Sequence, residues 1–421
     1  MRLRPKLVAL FGLLPCTAIP PVQAQDGERP IIESLEAPAL TVLASRVAAG
    51  HPEIMEALAT LEARSANRSA ADRPLFNPEL GLELEDSAAN LQAIGITQTI
   101  DIADERAARL NVADYEYQAA RAGLADARRQ ISAELLSNLA NYSTAVGLDE
   151  LAETRIELME TFLELTRQRQ QAGDLTQVEL NIANLAASQA EIEHASAESA
   201  MAGADQSLRA IVTSQPPATW PALPEELPEI ATRAIDVESL LMGLPEARVA
   251  HAEAAAAEAR IDLRQRERRA KPTVGLTAGT EEDESLVGLT FSMPLNVRNR
   301  FTDEVAAARA ERSAADQRVE NTENRARRRI MAATERFRLT RSAWYSWLET
   351  GQPNLGQQSE LLERLVEAGE LSTTDYLVQL NQTLDTAASA IELRHQLWLA
   401  WIEWLTATSQ TDVWLGIAAA D

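Results

Sequence analysis

Histidine, cysteine and carboxylate are the side chains with which this chain could do chemistry, and their spacing argues against a catalytic centre. The four histidines, His51, His194, His251 and His395, are scattered and never fall at metal-ligand intervals. No His-Glu-x-x-His, phosphate-cradling glycine loop or nucleophile elbow occurs. Carboxylates are abundant, with 63 Asp and Glu against 39 Lys and Arg. They sit on stretches of helical periodicity, where a solvated face is their ordinary role. The acidic run Glu281 to Glu284 has a composition that could take calcium, but such a run also keeps a loop hydrated. Trp398, Trp401 and Trp404 recur at spacing three, which predicts core packing. No catalytic, cofactor-binding or metal-ligating residue is therefore assigned.

The elements that carry these residues are mostly long helices. Of the 421 residues, 46% are apolar but only 4% aromatic, a mixture dominated by Ala and Leu that suits helices in close contact. A formal net charge of −24 disfavours nucleic acid and anionic membrane surfaces as partners. Residues 1–24 read as a secretory signal: Arg2, Arg4 and Lys6, then the apolar Leu7 to Leu14, then the small-residue site Val22-Gln23-Ala24. Cys16, the chain's one cysteine, follows Pro15, a poor context for lipoprotein processing. After the signal no apolar run approaches the length of a membrane helix.

An internal repeat organises what remains. His51-Pro52-Glu53-Ile54 opens a helix that ends before Asn77-Pro78, and Leu244-Pro245-Glu246-Ala247 opens one that ends before Lys271-Pro272, at offsets of 193 and 194. Ala172-Gly173-Asp174-Leu175-Thr176 corresponds to Ala368-Gly369-Glu370-Leu371-Ser372 at an offset of 196. The expected division is a signal peptide 1–24, a first repeat 25–213, a proline-rich connector 214–236, a second repeat 237–409 and a C-terminal tail 410–421. Each repeat reads as helix, two short strands, very long helix, tight turn, helix. Heptad spacing of Leu110, Ala113, Tyr117, Ala120, Leu124, Ala127 and Ile131 marks the first long helix, about Ala103 to Gln171. Its counterpart, about Val297 to Glu367, carries Gly351 and Pro353, which should kink or interrupt it. The shorter helices are expected at Leu40–Ala70, Leu175–Val212, Val237–Arg269 and Leu371–Thr408.

The strands alternate. Leu80, Leu82 and Leu84 share a face, as do Ile94 with Ile96, Val274 with Leu276, and Val287 with Leu289 and Phe291. Four strands cannot close a barrel, and an open edge is not tolerated in lipid, but three copies supply twelve. The fold class expected is mainly α with a small β-barrel part, and these residues are expected to face membrane lipid. The competing possibility is a pair of soluble hairpins capping a helical bundle.

On the paired proline landmarks, the Pro-led hairpins and the two Ala-Gly-acid-Leu-Ser/Thr turns, the sequence resembles the TolC family of outer-membrane efflux channels across nearly the whole mature chain. Met293-Pro294-Leu295-Asn296-Val297-Arg298-Asn299-Arg300 is similar to the heavy-metal-efflux, CzcC-like branch. The resemblance implies a homotrimer with a twelve-strand barrel in the outer membrane and a helical tunnel in the periplasm. It implies a periplasmic adaptor protein and an inner-membrane pump, of the RND type, as partners, and no cofactor. The two turns, 172–176 and 368–372, would form the adaptor-docking tip, and Glu179 and Asp375, each six residues past the turn glycine, the channel constriction. Two features depart from the family pattern: Val378 stands where some members carry a second acid, and Leu175 and Leu371 where some carry a tethering basic residue. The alternatives are a type I secretion duct and a pore-less periplasmic coiled-coil scaffold or adaptor.

Overall fold

The computed structural model describes residues 37–417 apart from 87–89, 214, 231–235, 282–283 and 368–370. The expected signal peptide, Cys16, and Ala368, Gly369 and Glu370 of the second turn lie outside the described residues.

The repeat is written twice in the element order. In the first half α1 (Pro38–Gly50) and α2 (Pro52–Ala71) lead to β1 (Glu79–Asp86), β2 (Asn90–Thr99), α3 (Glu105–Ala172) and α4 (Gln177–Ile211). In the second, α5 (Val237–Gly243) and α6 (Pro245–Glu267) lead to β3 (Thr273–Glu281), β4 (Glu284–Ser292), α7 (Thr302–Ser346), a π-helical turn (Trp347–Gly351), α8 (Gln352–Glu367) and α9 (Thr373–Ala407). At 1.5 Å per residue the 68-residue α3 is about 100 Å long. It packs along α2, α4, α6 and α9, while α7 packs on α6 and α9.

Two expected helices are each divided in two. Leu40–Ala70 breaks at His51, and Val237–Arg269 breaks at Leu244, because a residue before proline is pushed out of the helical region. His51 (φ −71°, ψ 133°) and Leu244 (φ −66°, ψ 130°) are both extended. His51 then caps α2, its Nδ1 accepting the Glu53 N–H at 3.3 Å. The interruption expected at Gly351 and Pro353 is a π-helical turn rather than a break. Pro353 has no N–H to donate to the preceding turn, and the Trp347 ring lies where a Cβ on Gly351 would have to sit.

The main core gathers Ile131, Leu135, Leu136 and Leu139 of α3 with Leu40 and Leu43 of α1 and Phe337 of α7. The tryptophan stripe of α9 enters it: Trp401 and Trp404 stack at 5.1 Å, and Phe337 lies 4.9 Å from Trp401. Two segments expected to be a bare connector and a tail also contribute. Trp220, Leu223 and Leu227 of the proline-rich segment are buried in this core. The C-terminal residues form α10 (Thr411–Trp414), whose Trp414 packs edge-on to Trp401 at 5.8 Å. Apolar side chains spaced through these stretches have nowhere else to escape water.

Beside the core lies a buried polar hub. Arg129 on α3, 3% exposed, donates to Asp126 at 2.5 Å, to Glu246 of α6 at 3.1 Å and to the Thr406 carbonyl of α9 at 2.6 Å. Glu246 also accepts from Arg329 of α7. Ser132 donates to Asp412 of α10 at 3.2 Å. One arginine thus joins helices from both repeats.

Candidate channel surfaces

The first turn is built by glycine. Gly173 ends α3 at φ +87°, a left-handed conformation that side chains with a Cβ rarely adopt. Its N–H bonds the Gln170 carbonyl at 3.0 Å, and the Asp174 N–H bonds that of Arg169 at 2.9 Å, so the last carbonyls of the helix are satisfied. Thr176 then starts α4. Its Oγ1 accepts the Glu179 N–H at 3.3 Å, while the Glu179 carboxylate accepts the Thr176 N–H at 2.7 Å and its hydroxyl at 2.8 Å. These bonds, the backbone one first, hold the Glu179 carboxyl below its usual range. Ala172, Gly173, Asp174 and Thr176 are exposed, and Leu175 is half-buried.

The second turn is described from Leu371 onward. Ser372 caps α9: its Oγ accepts the Asp375 N–H at 3.1 Å and donates to the Asp375 carboxylate at 2.7 Å. Both expected constriction acids are therefore the third residue of a helix whose cap they brace. The Ser/Thr-x-x-acid spacing that signals such a cap stands in the sequence at 176–179 and 372–375.

The sheet has strand order β1-β2-β3-β4, all antiparallel, which leaves β1 and β4 as open edges. Its register brings the ten expected apolar residues onto one face. Leu80 pairs Ile96, which pairs Leu276, which pairs Leu289; Leu82 pairs Ile94, and Val274 pairs Phe291. Leu84 and Val287 share the face, and all ten are exposed, Leu289 by 82% and Val287 by 74%. The other face is made mostly of small and polar residues, among them the row Gly81, Gly95, Thr277, Gly288. It is also the crowded face. A Cβ on Gly279 would come within 2.7 Å of Ala93 Cα, and one on Gly275 within 2.8 Å of the Thr97 methyl. That crowding marks the concave side, so the apolar residues cover the convex side.

A further apolar surface escaped the sequence reading. On α4, Val178, Ile182, Leu185 and Ile192 follow heptad spacing and are all exposed, Leu185 by 71%. On α9, Val378, at the repeat position of Ile182, is exposed as well. The signal was the interval of four, three and seven residues. The histidines are dispersed: His251 meets Glu323 at 2.9 Å, and His194 lies 3.8 Å from Asp149. Among the described residues no helix is long and apolar enough to cross a membrane.

Long paired helices joined to a four-stranded sheet with an exposed apolar face make the fold of an outer-membrane efflux channel. The fold matches that of the Campylobacter jejuni CmeC outer membrane channel at a TM-score of 0.76, with 13% identity over 88% of this chain and 86% of that one. Residues 43–214 match the family model described as outer membrane efflux protein. The nickel-cobalt-cadmium resistance protein NccC of Alcaligenes xylosoxydans xylosoxydans is 29% identical over 311 residues, 66% of this chain and 67% of the relative. The cobalt-zinc-cadmium resistance protein CzcC of Cupriavidus metallidurans is 23% identical over 365 residues, 79% and 84% of the two chains. The chain is thus similar to outer membrane efflux proteins in fold over most of its length and in sequence over residues 43–214.

Proposed function

We propose that three copies of this chain form the outer-membrane duct of a tripartite efflux system that exports divalent metal cations. The observation that carries the assembly is the sheet itself. Its convex face is largely apolar and exposed, and both edges are open, so neither lipid insertion nor edge pairing is complete within one chain. Twelve strands from three chains satisfy both needs. The exposed heptad stripe of α4 gives neighbouring protomers a second surface to bury. The helices then form a tunnel on the periplasmic side. The turns at 172–176 and 368–372 receive the adaptor, Glu179 and Asp375 line the mouth between them, and an inner-membrane pump of the RND type supplies the cargo. Metal cargo follows the names of the two relatives, both metal-resistance proteins, and suits a chain of net charge −24.

Membrane fractionation and native mass analysis test the assembly: the mature chain should appear as an outer-membrane trimer, and a soluble periplasmic monomer would refute it. Deleting the gene tests the cargo, with sensitivity to nickel, cobalt, zinc or cadmium expected. Unchanged metal tolerance together with loss of a secreted protein would instead favour a type I secretion duct.

A further inference from the structure

The apolar alternation of the strands outlasts their hydrogen-bonded ladder. In β4 the outward residues Val287, Leu289 and Phe291 are followed, at the same parity, by Met293, Leu295 and Val297, although the strand ends at Ser292. Leu295 is 72% exposed and Val297 76%. In β2, Ile94 and Ile96 are followed, after Gln98, by Ile100 and Ile102, both exposed. The two exits are built alike. The Ile102 N–H bonds the Ile100 carbonyl at 3.1 Å, and the Val297 N–H bonds that of Leu295 at 2.9 Å. Each then enters its long helix through a left-handed residue, Asp104 at φ 54° and Phe301 at φ 53°. The same turn, made twice, presents two large apolar side chains to solvent.

Length gives these segments a purpose. The nine residues of β4 span about 30 Å, or about 21 Å of depth when tilted by roughly 45°. That falls short of the apolar band of about 25 Å that barrels of this kind present. Residues 293–295, before the turn that Val297 closes, add about 7 Å of depth along the same line.

Three guanidiniums at this level stand without a partner. Arg298 and Arg300 directly follow the apolar exit, and Arg269 precedes β3; all three are exposed, and their side chains make no ion pair or hydrogen bond among the described residues. Of the nearby carboxylates, Asp72 is engaged with Arg106, Asp104 with Arg266 and Glu105 with Lys271, while the exposed Asp303 and Glu79 make no ion pair or hydrogen bond among the described residues. Asp101 accepts the Arg106 N–H at 3.0 Å. The opposite end of the sheet is acidic, with Glu85, Asp86, Glu281 and Glu284 at the hairpin ends.

We propose that the strand exits 100–102 and 293–297 complete the lipid-facing belt, and that Arg298 and Arg300 bind the phosphate of phospholipid headgroups at its periplasmic edge. The proposal rests on the membrane placement of the sheet. Unpaired guanidiniums beside exposed aliphatic side chains suit a bilayer interface, where the stems and neighbours meet acyl chains and the charged heads meet phosphate.

Cys16 is the chain's sole cysteine and precedes the expected cleavage site at Ala24, so one introduced cysteine reports alone. Spin labels at Leu82→Cys, Leu295→Cys and Val297→Cys are compared in vesicles of phosphatidylethanolamine and phosphatidylglycerol, using oxygen and a water-soluble nickel chelate as relaxants. Labels at 295 and 297 should favour oxygen, at shallower depth than the label at 82. Phosphatidylglycerol retention by the purified trimer should weaken about fivefold for each of Arg298→Ala and Arg300→Ala. A label at 82 in lipid with those at 295 and 297 open to the chelate overturns this inference and leaves the membrane placement standing. Labels at 295 and 297 shielded from both relaxants mean that protein covers the exits, which also overturns it. A label at 82 open to water refutes the membrane placement itself. Unchanged lipid retention in the double arginine variant removes the phosphate site.

Discussion

Glu179 and Asp375 brace their own helix N-termini before they act on any ion. The Glu179 carboxylate takes two bonds from Thr176, and that of Asp375 takes one from Ser372. In a trimer up to six such groups would surround one mouth, where a ring of carboxylates focuses potential and concentrates cations until salt screens it. The two duties separate by substitution. Glutamine or asparagine can still accept the capping bonds but carries no charge. Glu179→Gln with Asp375→Asn should therefore leave the trimer intact and reduce cation preference in planar-bilayer recordings, most at low salt. Unchanged selectivity would confine both residues to capping. Asp412 makes a second test at this scale. Burial pushes its carboxyl above the usual range, against the bond from Ser132 and the attraction of Arg128 and Arg129. The folded state therefore holds this proton more tightly than the unfolded chain does. Its contribution is most favourable below the ordinary carboxylate pKa and declines as pH rises through the raised value. Thermal unfolding of Asp412→Asn and the parent should match most closely in acid and diverge toward neutral pH, with the variant the more stable. A difference independent of pH would show that the Asp412 proton is not linked to folding.

Among the elements, the sheet has its two sides set by period and curvature together. Alternation put Leu80, Leu82 and Leu84 on one face, but which face is convex follows from Gly275 and Gly279, whose neighbours leave no room for a Cβ. Arginine at Leu82 should cost about 2–4 kcal/mol at mid-membrane, whereas arginine at Gly81 projects from the polar side. Assembled trimer should fall for Leu82→Arg and persist for Gly81→Arg; equal loss would overturn the assignment of the faces. The helix boundaries show where sequence pattern fails. His51-Pro52 and Leu244-Pro245 are legible as helix starts, yet the apolar pattern predicts a single helix across each. Periodicity continues through such a junction even though the backbone cannot. At Gly351 and Pro353 the opposite happened, and a suspected break became one π-helical turn.

At the scale of the whole molecule, the two repeats are joined by a hub that no local pattern announces. Arg129 draws on Asp126, Glu246 and the Thr406 carbonyl, which are separated from it by up to 277 residues. Removing one partner of a buried ion pair strands the other charges, at a cost of about 3–5 kcal/mol. Arg129→Ala should lower the unfolding midpoint sharply, while Arg338→Ala, which breaks an exposed pair with Glu335, should change it little. Comparable shifts for both would mean that the hub is not a structural tie.

By itself the sequence determined the repeat, the number of strands, the apolar set Leu80 to Phe291 and the glycine at 173, because each depends on local spacing or on a single backbone conformation. The capping roles of Glu179 and Asp375 were equally local and were present in the text of the chain as Thr-x-x-Glu and Ser-x-x-Asp. Tertiary structure alone decided that the proline-rich segment and the residues after 410 belong to the core. Trp220 and Trp414 become core residues only when distant helices supply the surface they cover. It also decided the partners of Arg129 and the concave side of the sheet, since both arise from contacts between segments that sequence order keeps far apart.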